Sequence, residues 1–130
     1  MPAAMPGGNE RILVVEDEPM VRKIVVRMLK GAGYDVLQAE NGEEAVALMS
    51  SDDADGVALV ILDAVMPRMG GKEAYDRIRP TVNGVRFMFT SGYSADALPS
   101  DFLDKEGLVL LQKPYDPNKL LTMVRDVLDA

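Results

Sequence analysis

Short apolar runs rich in β-branched residues recur along the chain at 11–15, 34–38, 58–62, 85–90 and 108–112. Their length and composition predict five strands. Between them, apolar residues return at three- and four-residue intervals. Val21, Ile24, Val25, Met28 and Leu29 predict a first helix, closed by Gly31 as its C-terminal cap. A second helix opens at Asn41, with Glu44 placed to complete a capping box and Ala45, Leu48 and Met49 turned inward. A third covers about 71–78. For the fourth, Ser94 offers a cap over 95–98, but Pro99 should break or restart the helix, so a short or irregular element is expected. The last takes Asp116 as N-cap and Pro117 in its first turn, and buries Leu120, Leu121, Val124, Val127 and Leu128 on one face.

Strands and helices therefore alternate strictly. Positions 12–15 and 60–62 are apolar throughout, which is the pattern of central strands covered on both faces. Together these features predict an α/β, three-layer, doubly wound sandwich: a five-stranded parallel sheet with five helices. Right-handed crossovers are compatible with the flavodoxin-like strand order 2-1-3-4-5, whose crevice lies at the carboxyl ends of strands 1 and 3. Residues 1–9 are rich in Pro, Gly and Ala and have neither a basic nor an apolar signal region, so they read as a flexible leader before one domain over 10–130. No repeat or low-complexity stretch suggests a second module.

Composition narrows the chemistry. The 130 residues include 14 Lys+Arg against 21 Asp+Glu, a formal net charge of -7, which on average repels a nucleic-acid backbone. Direct nucleic-acid binding is not expected. There is no cysteine, which removes thiolate nucleophiles, disulfides and cysteine-bound zinc. There is also no histidine, so phosphohistidine chemistry would need a partner. No apolar run approaches the roughly 20 residues of a membrane span, and a soluble, cytoplasmic protein is expected.

Strand 1 ends in Glu16-Asp17-Glu18 and strand 3 in Asp63, which places both acidic groups at the predicted crevice. Like charges about 4 Å apart at an effective dielectric near 20 cost roughly 4 kcal/mol per pair, so a cation should relieve them. A hard divalent ion held by carboxylates beside phosphate is the natural candidate, and Mg²⁺ is typical of that setting. Taken alone, the triplet 16–18 reads better as a solvated turn before a helix whose N-terminal dipole favours acids. Two more strand ends change that balance: Thr90-Ser91-Gly92 and Lys113-Pro114 reach the same edge of the sheet. A lysine and a hydroxyl there can neutralise and hydrogen-bond phosphoryl oxygens.

With these motifs in order, the sequence closely resembles the response-regulator receiver family of two-component phosphorelays. The resemblance rests on Glu16-Asp17, Asp63-Ala64-Val65-Met66-Pro67-Arg68-Met69-Gly70-Gly71, Thr90-Ser91-Gly92-Tyr93 and Lys113-Pro114-Tyr115, and covers nearly all of 11–128. It implies that Asp63 is the phosphoacceptor. Glu16 and Asp17 would hold Mg²⁺ together with Asp63 and the backbone carbonyl of Val65. Ser91, or failing it Thr90, would contact the phosphoryl group, and Lys113 would pair with Asp63. The resemblance also implies a phosphohistidine donor on a sensor histidine kinase or a histidine phosphotransfer protein. A downstream target would meet the face of helix 4, strand 5 and helix 5. The family commonly uses a cis bond at the position of Lys113-Pro114.

One position departs from the family pattern: Leu110 stands where many receivers carry an aromatic residue that rotates inward on activation, with Tyr93 and Tyr115 as possible substitutes. Leu110 and the apolar residues flanking strand 5 therefore suggest a switch in the loop 91–94. The wording around Phe89-Thr90-Ser91-Gly92-Tyr93-Ser94 and Leu111-Gln112-Lys113-Pro114-Tyr115 is similar to receivers of hybrid sensor histidine kinases. The alternatives are a pseudo-receiver that binds partners without phosphorylation, an aspartate-nucleophile phosphatase and a flavin-binding module. The phosphatase would need an acid two positions after Asp63, where Val65 stands. A flavin module would need a Ser/Thr/Gly-rich phosphate loop after strand 1, where this chain carries acids.

Overall fold

The computed structural model describes residues 6–92, 98–99, 101–113 and 116–130. Among them run the strands β1 (Arg11–Val15), β2 (Asp35–Ala39), β3 (Val57–Asp63), β4 (Arg86–Ser91) and β5 (Leu110–Gln112). The α-helices α1 (Pro19–Gly31), α2 (Gly42–Met49), α3 (Gly71–Ile78), α4 (Phe102–Glu106) and α5 (Pro117–Asp129) alternate with them. All strand pairs are parallel and the order is β2-β1-β3-β4-β5. This is the predicted flavodoxin-like, doubly wound sandwich. Among the described residues, no helix is long and apolar enough to cross a membrane.

Two apolar clusters explain why β1 and β3 lack polar alternation. On one face Leu13, Val15, Val60, Leu62, Phe87 and Phe89 pack against residues of α2, α3 and α4, including Ala45, Met49, Ala74, Tyr75, Ile78 and Phe102. On the other, Ile12, Val14, Leu59, Ile61 and Met88 meet Val25, Val26 and Leu29 of α1 and Leu120, Leu121 and Val124 of α5. A strand covered on both faces has no solvated side on which to place polar residues.

Several boundaries differ from the sequence reading, each for a local reason. Gly31 is the last residue of α1 rather than its cap. The capping glycine is Gly33, with φ 102°: its N–H donates to Lys30 O and the N–H of Tyr34 to Leu29 O, the paired bonds of a Schellman ending. Tyr34 is thereby committed to the cap, and β2 starts at Asp35. At α2, Asn41 Oδ1 accepts from Glu44 N as expected, but the Glu44 carboxylate accepts from Glu40 N, one residue before the cap. α4 starts only at Phe102, after Pro99, and ends at Gly107 with φ 68°. The N–H of Leu108 returns to Leu103 O, so β5 begins two residues later than the apolar run suggested. Of the expected leader 1–9, Gly8 N donates to Ala32 O and Gly7 O accepts from Arg125 Nη1, so its last residues lie against the ends of α1 and α5.

Candidate functional site

Because all strands are parallel, their carboxyl ends share one edge, and there the sequence places its acids, hydroxyls and lysine. The ladder between β1 and β2 continues one residue past β1, as Glu16 N donates to Ala39 O at 3.1 Å. That fixes the Glu16 backbone. The residue is only 2% exposed. Glu16 Oε2 accepts from the N–H of Glu18, and its carbonyl accepts from Arg22 Nη1 at 2.8 Å. Asp63, the last residue of β3, lies in register with Thr90 of β4 and is 3% exposed.

The loop after Asp63 is held close to it. Ala64 N donates to Thr90 O at 2.8 Å, and Gly71 N donates to Ala64 O. A Cβ at Gly71 would stand 2.4 Å from Asp63 O and 3.0 Å from a ring carbon of Phe89, so only glycine lets α3 start here. Arg68, with φ 71°, is the non-glycine residue in the left-handed region among the described residues. Lys113 arrives from β5 with its N–H bonded to Ser91 O at 2.8 Å.

Lys113 joins the two buried acids. Its Nζ lies 2.6 Å from Glu16 Oε1 and 3.1 Å from Asp63 Oδ2. Burial pushes Asp63 upward, the neighbouring Glu16 adds to that push, and Lys113 only partly offsets it, leaving the carboxyl at about 7. Glu16 moves the other way: burial would raise it, but bonds from Lys113, Asp63 and the Glu18 N–H hold it below the usual carboxylate value. The lysine is itself shifted upward, because the two carboxylates outweigh its desolvation. The physical content is one excess negative charge in a buried triad, with a proton preferring Asp63.

The residues also fit a divalent metal. One carboxylate oxygen from each of Glu16, Asp17 and Asp63 lies within 4.8 Å of the others, an all-oxygen donor set suited to a hard cation. Glu16 Oε1 is buried, and the Lys113 ammonium stands 2.6 Å from it as its charge partner.

The structure thus brings Glu16, Asp17, Asp63, Thr90, Ser91 and Lys113 to one edge. Thr90 and Ser91 are both buried, and strand alternation turns their side chains to opposite faces. Val65 is 63% exposed, and its N–H makes a long 3.4 Å contact to Asp63 Oδ1. Tyr93, Ser94, Tyr115 and the Lys113-Pro114 bond lie outside the described residues. Sequence reasoning placed Gly71 in the motif and at the start of the third helix without assigning its close packing, missed Arg22, and did not foresee that Lys113 would approach Glu16 more closely than Asp63. A glycine at the first position of a helical pattern was the available signal for that packing. A cation six residues past a buried acid carried none.

Comparison with known proteins bears directly on this arrangement. Residues 12–125 match the family model described as the response regulator receiver domain. The chain is 35% identical over 122 residues to the sensor kinase CckA of Brucella abortus, covering 94% of this chain and 13% of that protein. It is 31% identical over 121 residues to the response regulator receiver protein CpdR of the same organism, covering 93% and 98% respectively. Among solved structures, the response regulator protein TrrA of Thermotoga maritima in complex with Mg(2+)-BeF matches with a TM-score of 0.75 at 30% identity. That match covers 91% of this chain and 98% of that one. The chain spans about half or less of the length of several curated relatives it matches.

Proposed function

Because this chain belongs to the response regulator receiver family, a signalling module of two-component systems, we propose that it accepts a phosphoryl group on Asp63 from a partner's phosphohistidine. The observation that carries the reading is the simultaneous contact of Lys113 with two buried carboxylates, Glu16 and Asp63, at the carboxyl edge of the sheet. A structural ion pair needs one acid. Two acids sharing one lysine, with Asp17 beside them, make a site charged beyond its own neutralisation and prepared for cation and phosphate together.

In the proposed reaction an Asp63 carboxylate oxygen attacks phosphorus as the bond to the donor imidazole nitrogen breaks, and the imidazole leaves with the electron pair. Such transfer depends on positioning and on neutralising charge, since the protein contributes little covalent chemistry beyond the nucleophile. Lys113 already contacts Asp63 Oδ2 and neutralises charge on the phosphoryl oxygens. The Ser91 hydroxyl, with Thr90 as the alternative, donates to a phosphoryl oxygen. Glu16, Asp17 and Asp63, with the backbone carbonyl of Val65, would hold Mg²⁺, which when bound offsets the carboxylates and the incoming phosphate. Water resets the switch by hydrolysing the acyl phosphate. The domain acts on its own phosphorylation and is not a turnover enzyme. It meets a sensor histidine kinase or phosphotransfer protein upstream, and a target on the face of α4, β5 and α5 downstream.

Phosphotransfer from a panel of autophosphorylated histidine kinases tests this reading. Label should move to the wild-type chain and not to Asp63→Asn; transfer to both would contradict the assignment.

A further inference from the structure

Four rings lie together behind the candidate phosphoacceptor. Phe89, immediately before Thr90 in β4, packs at 5.6 Å and 80° against Phe102, the first residue of α4. Tyr75 of α3 packs against Phe87, Phe89 and Phe102 at 5.0, 5.9 and 5.5 Å. The Tyr75 hydroxyl then donates to Glu106 Oε1, at the last turn of α4, at 2.8 Å. Lys72, one turn earlier on α3, places its ammonium 5.2 Å from the centre of the Phe102 ring.

Both ends of α4 are thus held by α3. The helix has only five residues, too few to be stable alone, so its position depends on what grips it. The other end of the same linkage touches the phosphoacceptor, because the missing Cβ of Gly71 lets the start of α3 rest directly on Asp63 O and on the Phe89 ring. By contrast β5 offers Leu110, half-buried, where a ring would be needed to carry a rotation.

We propose that the Phe102 ring and the Tyr75–Glu106 hydrogen bond form a latch by which α3 holds α4, and that occupation of Asp63 reaches α4 through Phe89 and α3 rather than through β5. The inference rests on the phosphoacceptor reading of Asp63. Close-packed rings have little compressibility, so a shift at Asp63 or Thr90 that moves Phe89 must be taken up by Phe102 or Tyr75. The edge of the cluster that can yield is its polar end, since Glu106 is exposed and can exchange the tyrosine hydroxyl for water.

The test uses the full chain and its variant Tyr75→Phe, which keeps every ring contact and removes only the hydrogen bond. Amide exchange is followed across Phe102–Glu106 with and without beryllofluoride and magnesium, and intact mass after acetyl phosphate treatment is recorded on the same preparations. Exchange of α4 in the untreated wild type should change on adding beryllofluoride. Tyr75→Phe should exchange on the order of tenfold faster without it, lose most of the response, and still gain a phosphoryl group. A second variant, Phe102→Leu, should also uncouple α4 while leaving phosphorylation intact. An unchanged beryllofluoride response in Tyr75→Phe, or a wild-type α4 that does not respond although Asp63 is phosphorylated, overturns the latch. Absence of phosphorylation in the wild type overturns the phosphoacceptor reading and the latch with it, and the mass measurement reports that separately.

Discussion

Lys113 Nζ lies 3.1 Å from Asp63 Oδ2, bringing together two residues fifty positions apart and closing the carboxyl edge of the sheet. The same ammonium is 2.6 Å from Glu16. One cation therefore holds two buried carboxylates.

Removing it should be costly. Lys113→Met leaves two acids without their counter-charge, and breaking a buried pair from one side typically costs about 3 kcal/mol or more. The loss should be smaller in acid, where a carboxyl takes up a proton, and smaller in the double variant with Asp63→Asn. Urea unfolding of the two single variants and the double variant checks this; additive losses would contradict it.

The pH dependence has a definite sign. Without a metal, Asp63 is raised from its ordinary value of 3.8 to about 7, by burial first and by Glu16 next. A folded state that binds this proton more tightly than the unfolded state gains stability that is fully present below about 3.8 and is lost as pH rises through about 7. Magnesium competes for the same carboxylate. The magnesium-induced rise in Tm should therefore be larger at about pH 8 than at about pH 6, and the reverse order would contradict the assignment.

Gly71→Ala should destabilise the domain by about 1–3 kcal/mol and weaken phosphorylation, because the new Cβ meets Asp63 O at 2.4 Å. Chemical denaturation and labelling with acetyl phosphate read the two effects. A fully stable variant would show that α3 can move away from β3 without loss.

Ser91→Ala should still be phosphorylated on Asp63 but lose most of its response to beryllofluoride. A hydrogen bond to a charged group contributes roughly 1.5–3 kcal/mol, enough to shift a two-state equilibrium about ten- to a hundredfold. Leu110→Ala should cost about 1–2 kcal/mol of stability and leave that response largely intact. Amide exchange distinguishes them: a response kept in Ser91→Ala and lost in Leu110→Ala contradicts both the loop switch and the minor role of β5.

The parts of this fold that were legible in the sequence are those governed by short-range chemistry. Asp116 does cap α5, accepting from Asn118 N, with Pro117 in the first turn. The uninterrupted apolar runs of β1 and β3 announced burial on both faces. The acids, hydroxyls and lysine were found because each sits at the end of an apolar run. What remained hidden depends on which of several competing local bonds forms, or on contacts between distant segments. Gly33 rather than Gly31 caps α1 because Tyr34 returns its N–H to Leu29 O. The start of β5 is decided by Leu108 bonding back to Leu103. Tyr75 had no role in the sequence reading, and its bond to Glu106 spans 31 positions. The charge balance of the site was legible only in outline, since its pairing follows from how deeply Glu16 is buried.

Intact-mass measurement after incubation with acetyl phosphate and magnesium tests the central claim most directly. The wild-type chain should gain one phosphoryl group and Asp63→Asn none, with the wild-type gain abolished by a chelator. A phosphoryl group on Asp63→Asn, or none on the wild type, would contradict the account.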